Sequence, residues 1–135
     1  MRYIELYGTN KIVRMGIRKE NSTNMQNEKY ITDCDLAYAV CKLGGRWKIL
    51  ILCRLEHGKM RYSELRNQIG GITERMLSLQ LRELEKEGLV IRTVHAEVPP
   101  RVDYELTSIA IDLIPIWRQL ESWGAKHKVL SHGKT

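Results

Sequence analysis

Along this 135-residue chain, apolar residues recur at helical spacing from about residue 33 onward, with no sustained period before it. Residues 1–30 mix charges with Asn, Ser, Thr and Gln and follow neither a 3.6- nor a 2-residue repeat, which reads as a loosely ordered N-terminal arm. Met15 and Met25 leave room in it for a later natural start. From Asp33, the segment DCDLAYAVCKLGG offers an N-cap candidate, an apolar stripe of Leu36, Ala39, Val40 and Leu43, and a terminating Gly44-Gly45 pair. This predicts a first helix. RWKILILCRLEHG follows, with Trp47, Ile49, Leu50, Ile51, Leu52 and Leu55, too apolar for a surface helix, and predicts a buried central helix ending at Gly58.

A short extended piece is expected at Lys59 to Tyr62, then a two-turn helix in SELRNQIGG, with Ser63 as N-cap, Leu65 and Ile69 on one face, and Gly70-Gly71 as the stop. ITERMLSLQLRELEKEG then starts from Thr73 as N-cap and keeps Leu77, Leu81 and Leu84 on one side until Gly88. LVIRTVHAEVPPRVDYELT reads as two β-runs turned around Pro99-Pro100, a hairpin. Thr107 is expected to cap a last long helix through about Lys128, with Ile111, Ile114, Leu120 and Trp123 on its apolar face and a kink at Pro115. Helix, helix, short helix, turn, helix, hairpin, long helix is the order of a winged helix-turn-helix domain, an α+β fold that is mostly α. The expected domain spans 31–130, with its recognition helix at about 74–87, its wing at about 90–106 and a terminal helix at about 108–128.

A chain of this length can bury roughly two thirds of its unfolded surface, enough for one core. The formal charge of +6 favours a polyanionic partner without naming one. The chain has no run near the ~20 apolar residues of a membrane span, and its basic start lacks the apolar segment of a secretory signal, so a cytoplasmic protein without a membrane partner is expected. There the three cysteines are expected as thiols.

Rotating by 100° per residue puts Leu77, Leu81 and Leu84 on one side of the fourth helix, and Arg75, Ser78, Leu79, Arg82 and Lys86 on the other. The outward side fits a major groove, where the first turns of a helix meet base edges, so Arg75, Ser78 and Leu79 are the base-contact candidates. Arg82 is the phosphate candidate, and Thr73 opens the same helix. Lys59, Arg61, Arg66 and Arg92 flank this surface and could position duplex DNA through phosphates. Enzyme readings find no support: no phosphate-binding glycine loop occurs, and nothing places His95 or His127 beside a cysteine as a base. Cys53 and His57 have i, i+4 spacing but no further metal ligands beside them, while Glu83, Glu85 and Glu87 read as a solvated face. Neither a metal nor a cofactor is expected.

Four collinear blocks, CDLAYAVCKLGGRWKILIL, RYSELRNQIGGITERMLSLQLRELEKEGLV, VPPRVDYELT and WGAKH, resemble the HxlR family of bacterial regulators, relatives of the MarR group, over roughly 70% of the chain. The resemblance implies a transcriptional regulator that forms a homodimer through its first and last helices and binds an inverted-repeat operator, with repression as the family habit. The apolar last helix with Trp117 and Trp123 supports the dimer. VPPRV resembles the family's wing, with Arg101 as a cation for minor groove or phosphate. Leu79 departs from the polar residue, often Gln, expected there. Cys34 stands at the position of the family's N-terminal cysteine, which in some members senses oxidants or electrophiles; an oxidant or small-molecule effector is implied, beside the plainer reading of a packing residue. Cys41 and Cys53 read as buried fillers. The rival to DNA binding is a winged-helix module that docks another protein.

Overall fold

The computed structural model describes residues 31–133, and the arm expected over residues 1–30 lies outside the described residues. Cys34 takes the N-cap position of α1 (Asp35–Leu43), which ends at Gly44. The apolar α2 (Lys48–Arg54) buries Ile51 and Leu52, and Leu55 follows into the same core. A two-residue strand β1 (Met60–Arg61) leads into α3 (Tyr62–Gln68). Here the expected cap is corrected: Arg61, not Ser63, is the N-cap residue. Its backbone N–H donates to Glu64 Oε2 at 3.1 Å, because an acidic residue at the third helical position can reach back to the cap.

α4 (Glu74–Lys86) begins at Thr73, whose Oγ1 accepts from the Met76 N–H at 3.1 Å, and buries Leu77, Leu81 and Leu84. It ends in a Schellman closure, with the Leu89 N–H on the Leu84 carbonyl at 2.9 Å and Gly88 N–H on the Glu85 carbonyl at 3.0 Å. That closure needs the left-handed backbone found at Gly88 (φ +72°), where a side chain would be strained. β2 (Val90–His95) and β3 (Arg101–Leu106) form the hairpin, and β1 adds to β3, giving an antiparallel sheet of order β1-β3-β2. The register pairs His95 with Arg101 at the tip and Arg61 with Asp103 across the β1 edge.

Thr107 caps as expected, but the helix it caps is only α5 (Ser108–Ile111); the chain breaks at Asp112 and Leu113 and restarts as α6 (Ile114–His132). Pro115 therefore produces no kink. It lies in the first turn of α6, where the missing N–H has no intrahelical acceptor to lose.

The core gathers Ile51, Leu52 and Leu55, Leu65, Ile69 and Ile72, the three α4 leucines, Leu89 and Val90, Tyr104, Ala110 and Trp117. Fully burying one such leucine contributes about 1.5–3 kcal/mol, so α4 is seated chiefly by its inward stripe. The Trp117 indole N–H also donates to Glu56 Oε2 at 3.0 Å, tying α6 to the segment after α2. That bond, helped by an ion pair from Arg118, outweighs desolvation and holds the Glu56 carboxyl below its ordinary range. Two helices stay uncovered. α1 buries none of its residues, leaving Leu36 73% exposed, and α6 buries only Trp117, leaving Trp123 61% exposed.

Candidate nucleic-acid interface

The turn between α3 and α4 fixes how α4 is presented. Ile69 and Ile72 are buried on either side of Gly70-Gly71, and Gly71 takes a positive φ of +83° that a side chain would resist. Two polar contacts then bind the helices together. The Tyr62 hydroxyl donates to the Glu74 carbonyl at 3.0 Å and lies 2.9 Å from Ser78 Oγ. With its one proton on the carbonyl, Tyr62 receives the proton of Ser78. Arg66 Nη1 contacts Glu74 Oε1 at 2.6 Å, so this phosphate candidate sits in an exposed ion pair across the turn.

Arg75, Ser78, Leu79 and Arg82 all lie on the exposed side of α4, and Leu79 is 43% exposed although apolar. Beside them, a cleft of about 360 Å³ is lined by Ser78, Arg82, Glu85, Arg92 and Tyr104. A larger cleft of about 570 Å³ shares Arg92 and Tyr104 and is lined also by Arg61 of β1, Ser63 of α3, and Pro99, Pro100 and Arg101 of the wing. The outward face of α4 and the wing thus border two neighbouring clefts that together carry Arg61, Arg82, Arg92 and Arg101. Arg92 and Tyr104 line both clefts, and burial, which outweighs the opposing Arg92 charge, pushes the Tyr104 pKa up and keeps that hydroxyl protonated. Lys59 is exposed just before β1.

Arg101 is not the free tip cation that sequence suggests. As the first residue of β3, it reaches Asp103 Oδ2 with Nε at 3.4 Å and Glu97 Oε1 with Nη1 at 3.6 Å. His95 Nε2 lies 2.9 Å from the same Asp103 oxygen. Asp103 is 5% exposed, so the wing is underpinned by a buried carboxylate shared between a histidine and an arginine. Alternation along β3 turns residues 101 and 103 to one face, but sequence does not say that the carboxylate is buried.

The acidic run at the end of α4 also differs from expectation. Glu85 is exposed, but Glu87 pairs with Lys42 at 2.9 Å and Glu83 with Lys48 at 2.8 Å, with both lysine side chains largely buried. Thr73 uses its oxygen as a cap, which leaves its hydroxyl proton for an incoming acceptor. Cys34, Cys41 and Cys53 are all free thiols and partly buried, so Cys41 and Cys53 are only half-buried where buried fillers were expected. Burial, followed by the nearby Glu56 charge, pushes the Cys53 thiol up and disfavours its thiolate. Among the described residues, no three His, Cys, Asp or Glu side chains gather to hold a metal, and no helix is long and apolar enough to cross a membrane.

Comparison with known proteins agrees with this arrangement. The chain is 48% identical over 101 residues to an HTH-type transcriptional regulator of Methanothermobacter thermautotrophicus, covering 75% of this chain and 76% of the relative. It is 43% identical over 111 residues to the regulator YtcD of Bacillus subtilis, covering 82% and 86%. The redox regulator HypR in its reduced form superposes with a TM-score of 0.70 at 38% identity, over 74% of this chain and 99% of HypR. The profile described as HxlR-like helix-turn-helix matches residues 42–131, and the chain belongs to that family of transcriptional regulators.

Proposed function

We propose that this regulator binds duplex DNA as a homodimer, laying α4 of each protomer in a major groove and the wing beside it. The observation that carries the reading is the pair of clefts, sharing Arg92 and Tyr104, that lie between the exposed side of α4 and the wing arginines. Arg75 and Leu79 read base edges: Arg75 suits the paired acceptors of guanine, and Leu79 suits a thymine methyl. While Ser78 donates to Tyr62 it meets a base only as an acceptor, which favours the amino group of cytosine or adenine. Arg82, Arg92, Arg61, Lys59 and the hydroxyl of Thr73 serve phosphates, and Arg66 and Arg101 join them by exchanging a carboxylate for a phosphate oxygen. The second protomer covers the apolar sides of α1 and α6, which presents two recognition helices ~34 Å apart to an inverted repeat.

Cys34 is the regulatory thiol in this reading. It stands at the start of α1, on the proposed dimer helix, and the similar HypR is named a redox regulator. Modifying it alters the dimer without touching the reading surface. The test selects a duplex from a randomised pool and follows its release by mild oxidant for wild type, Cys34→Ser, Cys41→Ser and Cys53→Ser. Wild type, Cys41→Ser and Cys53→Ser should lose DNA and Cys34→Ser should retain it. Equal loss from Cys34→Ser removes that cysteine from the mechanism, and failure to select any duplex removes the DNA reading.

A further inference from the structure

α1 has no fully buried residue, although Leu43 at its end packs against the core, and an open cleft of about 290 Å³ lined by Tyr38, Lys42, Glu87, Leu89, Ile109 and Leu113 lies beside it. Apolar packing therefore fixes the angle of α1 only loosely. Two ion pairs span this region. Lys42 Nζ, in the last turn of α1, lies 3.0 Å from Glu87 Oε1 and 2.9 Å from Oε2, with both side chains 13% exposed. Lys48 Nζ, the first residue of α2, lies 2.8 Å from Glu83 Oε2. The Tyr38 ring packs 5.2 Å from the Lys42 ammonium and holds it from a further side.

Glu83 and Glu87 are four residues apart, on one edge of the carbonyl end of α4. Negative charge is disfavoured there by the helix dipole, so these carboxylates are stabilised at that place by the two lysines facing them. A third attachment reaches the same end, where Thr107 Oγ1 donates to the Gly88 carbonyl at 2.7 Å. Largely buried ion pairs add little stability over apolar contacts of the same shape, but they are directional and cost much when one partner is removed. Lys42 closes α1 and Lys48 opens α2, so the two pairs grip the edge of α4 on either side of the Gly44-Gly45 turn and hold the junction of the two helices against it.

We propose that Lys42–Glu87 and Lys48–Glu83 form a two-point link between the α1–α2 unit and α4, which sets the angle of the recognition helix relative to the dimer helix. All four are positioning residues: none touches DNA, and they act by fixing the half-site separation that the dimer accepts. The inference rests on the dimeric DNA-binding reading above.

The test uses full-length protein and the duplex selected from a randomised pool, together with copies whose spacer is lengthened or shortened by one or two base pairs. Wild type should prefer the selected spacer by about tenfold, a ratio within reach of the coupling between contacting charged groups. Lys42→Glu and Glu87→Lys should remain dimeric in sedimentation but lose most of that preference, and the double variant K42E/E87K should restore it. The milder Glu83→Gln and Glu87→Gln serve if charge reversal prevents folding, each with a partial loss of spacer preference. Single variants that melt earlier and bind every spacer equally less well, with the wild-type preference intact, show a merely structural role and overturn the link. Failure of the double variant to restore the preference overturns it too. A wild type that is monomeric, or that binds no duplex, instead refutes the reading beneath it, and that result is visible before any variant is made.

Discussion

The outward sides of α4 and α6 are both helix faces open to solvent, each opposite residues that seat the helix in the core. On α4 the open side carries Arg75, Ser78, Leu79 and Arg82 beside two clefts with three further arginines. On α6 it carries Ile116, Leu120, Trp123 and Leu130, and α1 adds the exposed Leu36, Tyr38 and Val40. The first face is already solvated and gains by meeting a polyanion; the second gains only by leaving water. Both surfaces come from the same periodicity, so what separates their roles is which side of the helix the chain's own core completes. α4 spends its leucines inside one chain, whereas α6 leaves most of its apolar residues exposed, which is the face the proposed dimer would cover.

Breaking the apolar face should have the largest effect. Leu120→Glu with Trp123→Asp should leave a folded monomer in sedimentation and weaken binding to the inverted repeat by about 10²- to 10⁴-fold through loss of the linked second site. A variant that remains dimeric would move the interface elsewhere. On the polar face, Arg75→Ala should cost about 1–3 kcal/mol and relax base preference at one position, while Arg82→Ala should weaken all duplexes alike and lower the salt slope by about one. Matching profiles for the two variants would remove the distinction between base and phosphate contacts. Arg101→Ala should lower affinity and also the melting temperature by a few degrees, because buried Asp103 loses a cation; affinity loss with unchanged melting would show that the Asp103 contact is inconsequential. Leu79→Gln should change sequence preference more than affinity, as a repeat selection would reveal.

The smallest effect concerns pH. The folded-state pKa of Glu56 is lowered, so its contribution is present above the unfolded value of about 4.3 and fades as pH falls through the lower folded value. Glu56→Gln should flatten that acid limb in thermal melts and leave DNA binding near neutral pH unchanged. An unaltered limb would place the acid sensitivity at other carboxylates.

Local rules made much of this molecule legible in its sequence. The Thr73 cap, the stop at Gly88 and the Leu77, Leu81 and Leu84 stripe depend on neighbours within a turn or two, and the structure has all of them where periodicity and capping put them. The order of elements, and with it the fold, follows from such signals. Pro115 shows the limit of a local rule: the residue is visible, but its meaning depends on the chain break at Asp112 and Leu113. The contacts that orient the site are less legible because they are long-range. Lys42 and Glu87 are 45 residues apart, Tyr62 and Ser78 are 16 apart, and each pair meets only after the core has closed. The acidic run of α4 looked solvated for the same reason: the helix pattern shows its charges, but the facing lysines belong to other elements.

The most direct test of DNA binding through the α4–wing clefts is the salt dependence of wild-type binding to its selected duplex. Several arginine and lysine contacts per protomer should release counterions, so affinity should fall by about 10³-fold or more between roughly 50 and 200 mM salt, with two protomers on each inverted repeat. Affinity that stays flat across that range would contradict the role of these clefts and leave a module that docks protein instead of nucleic acid.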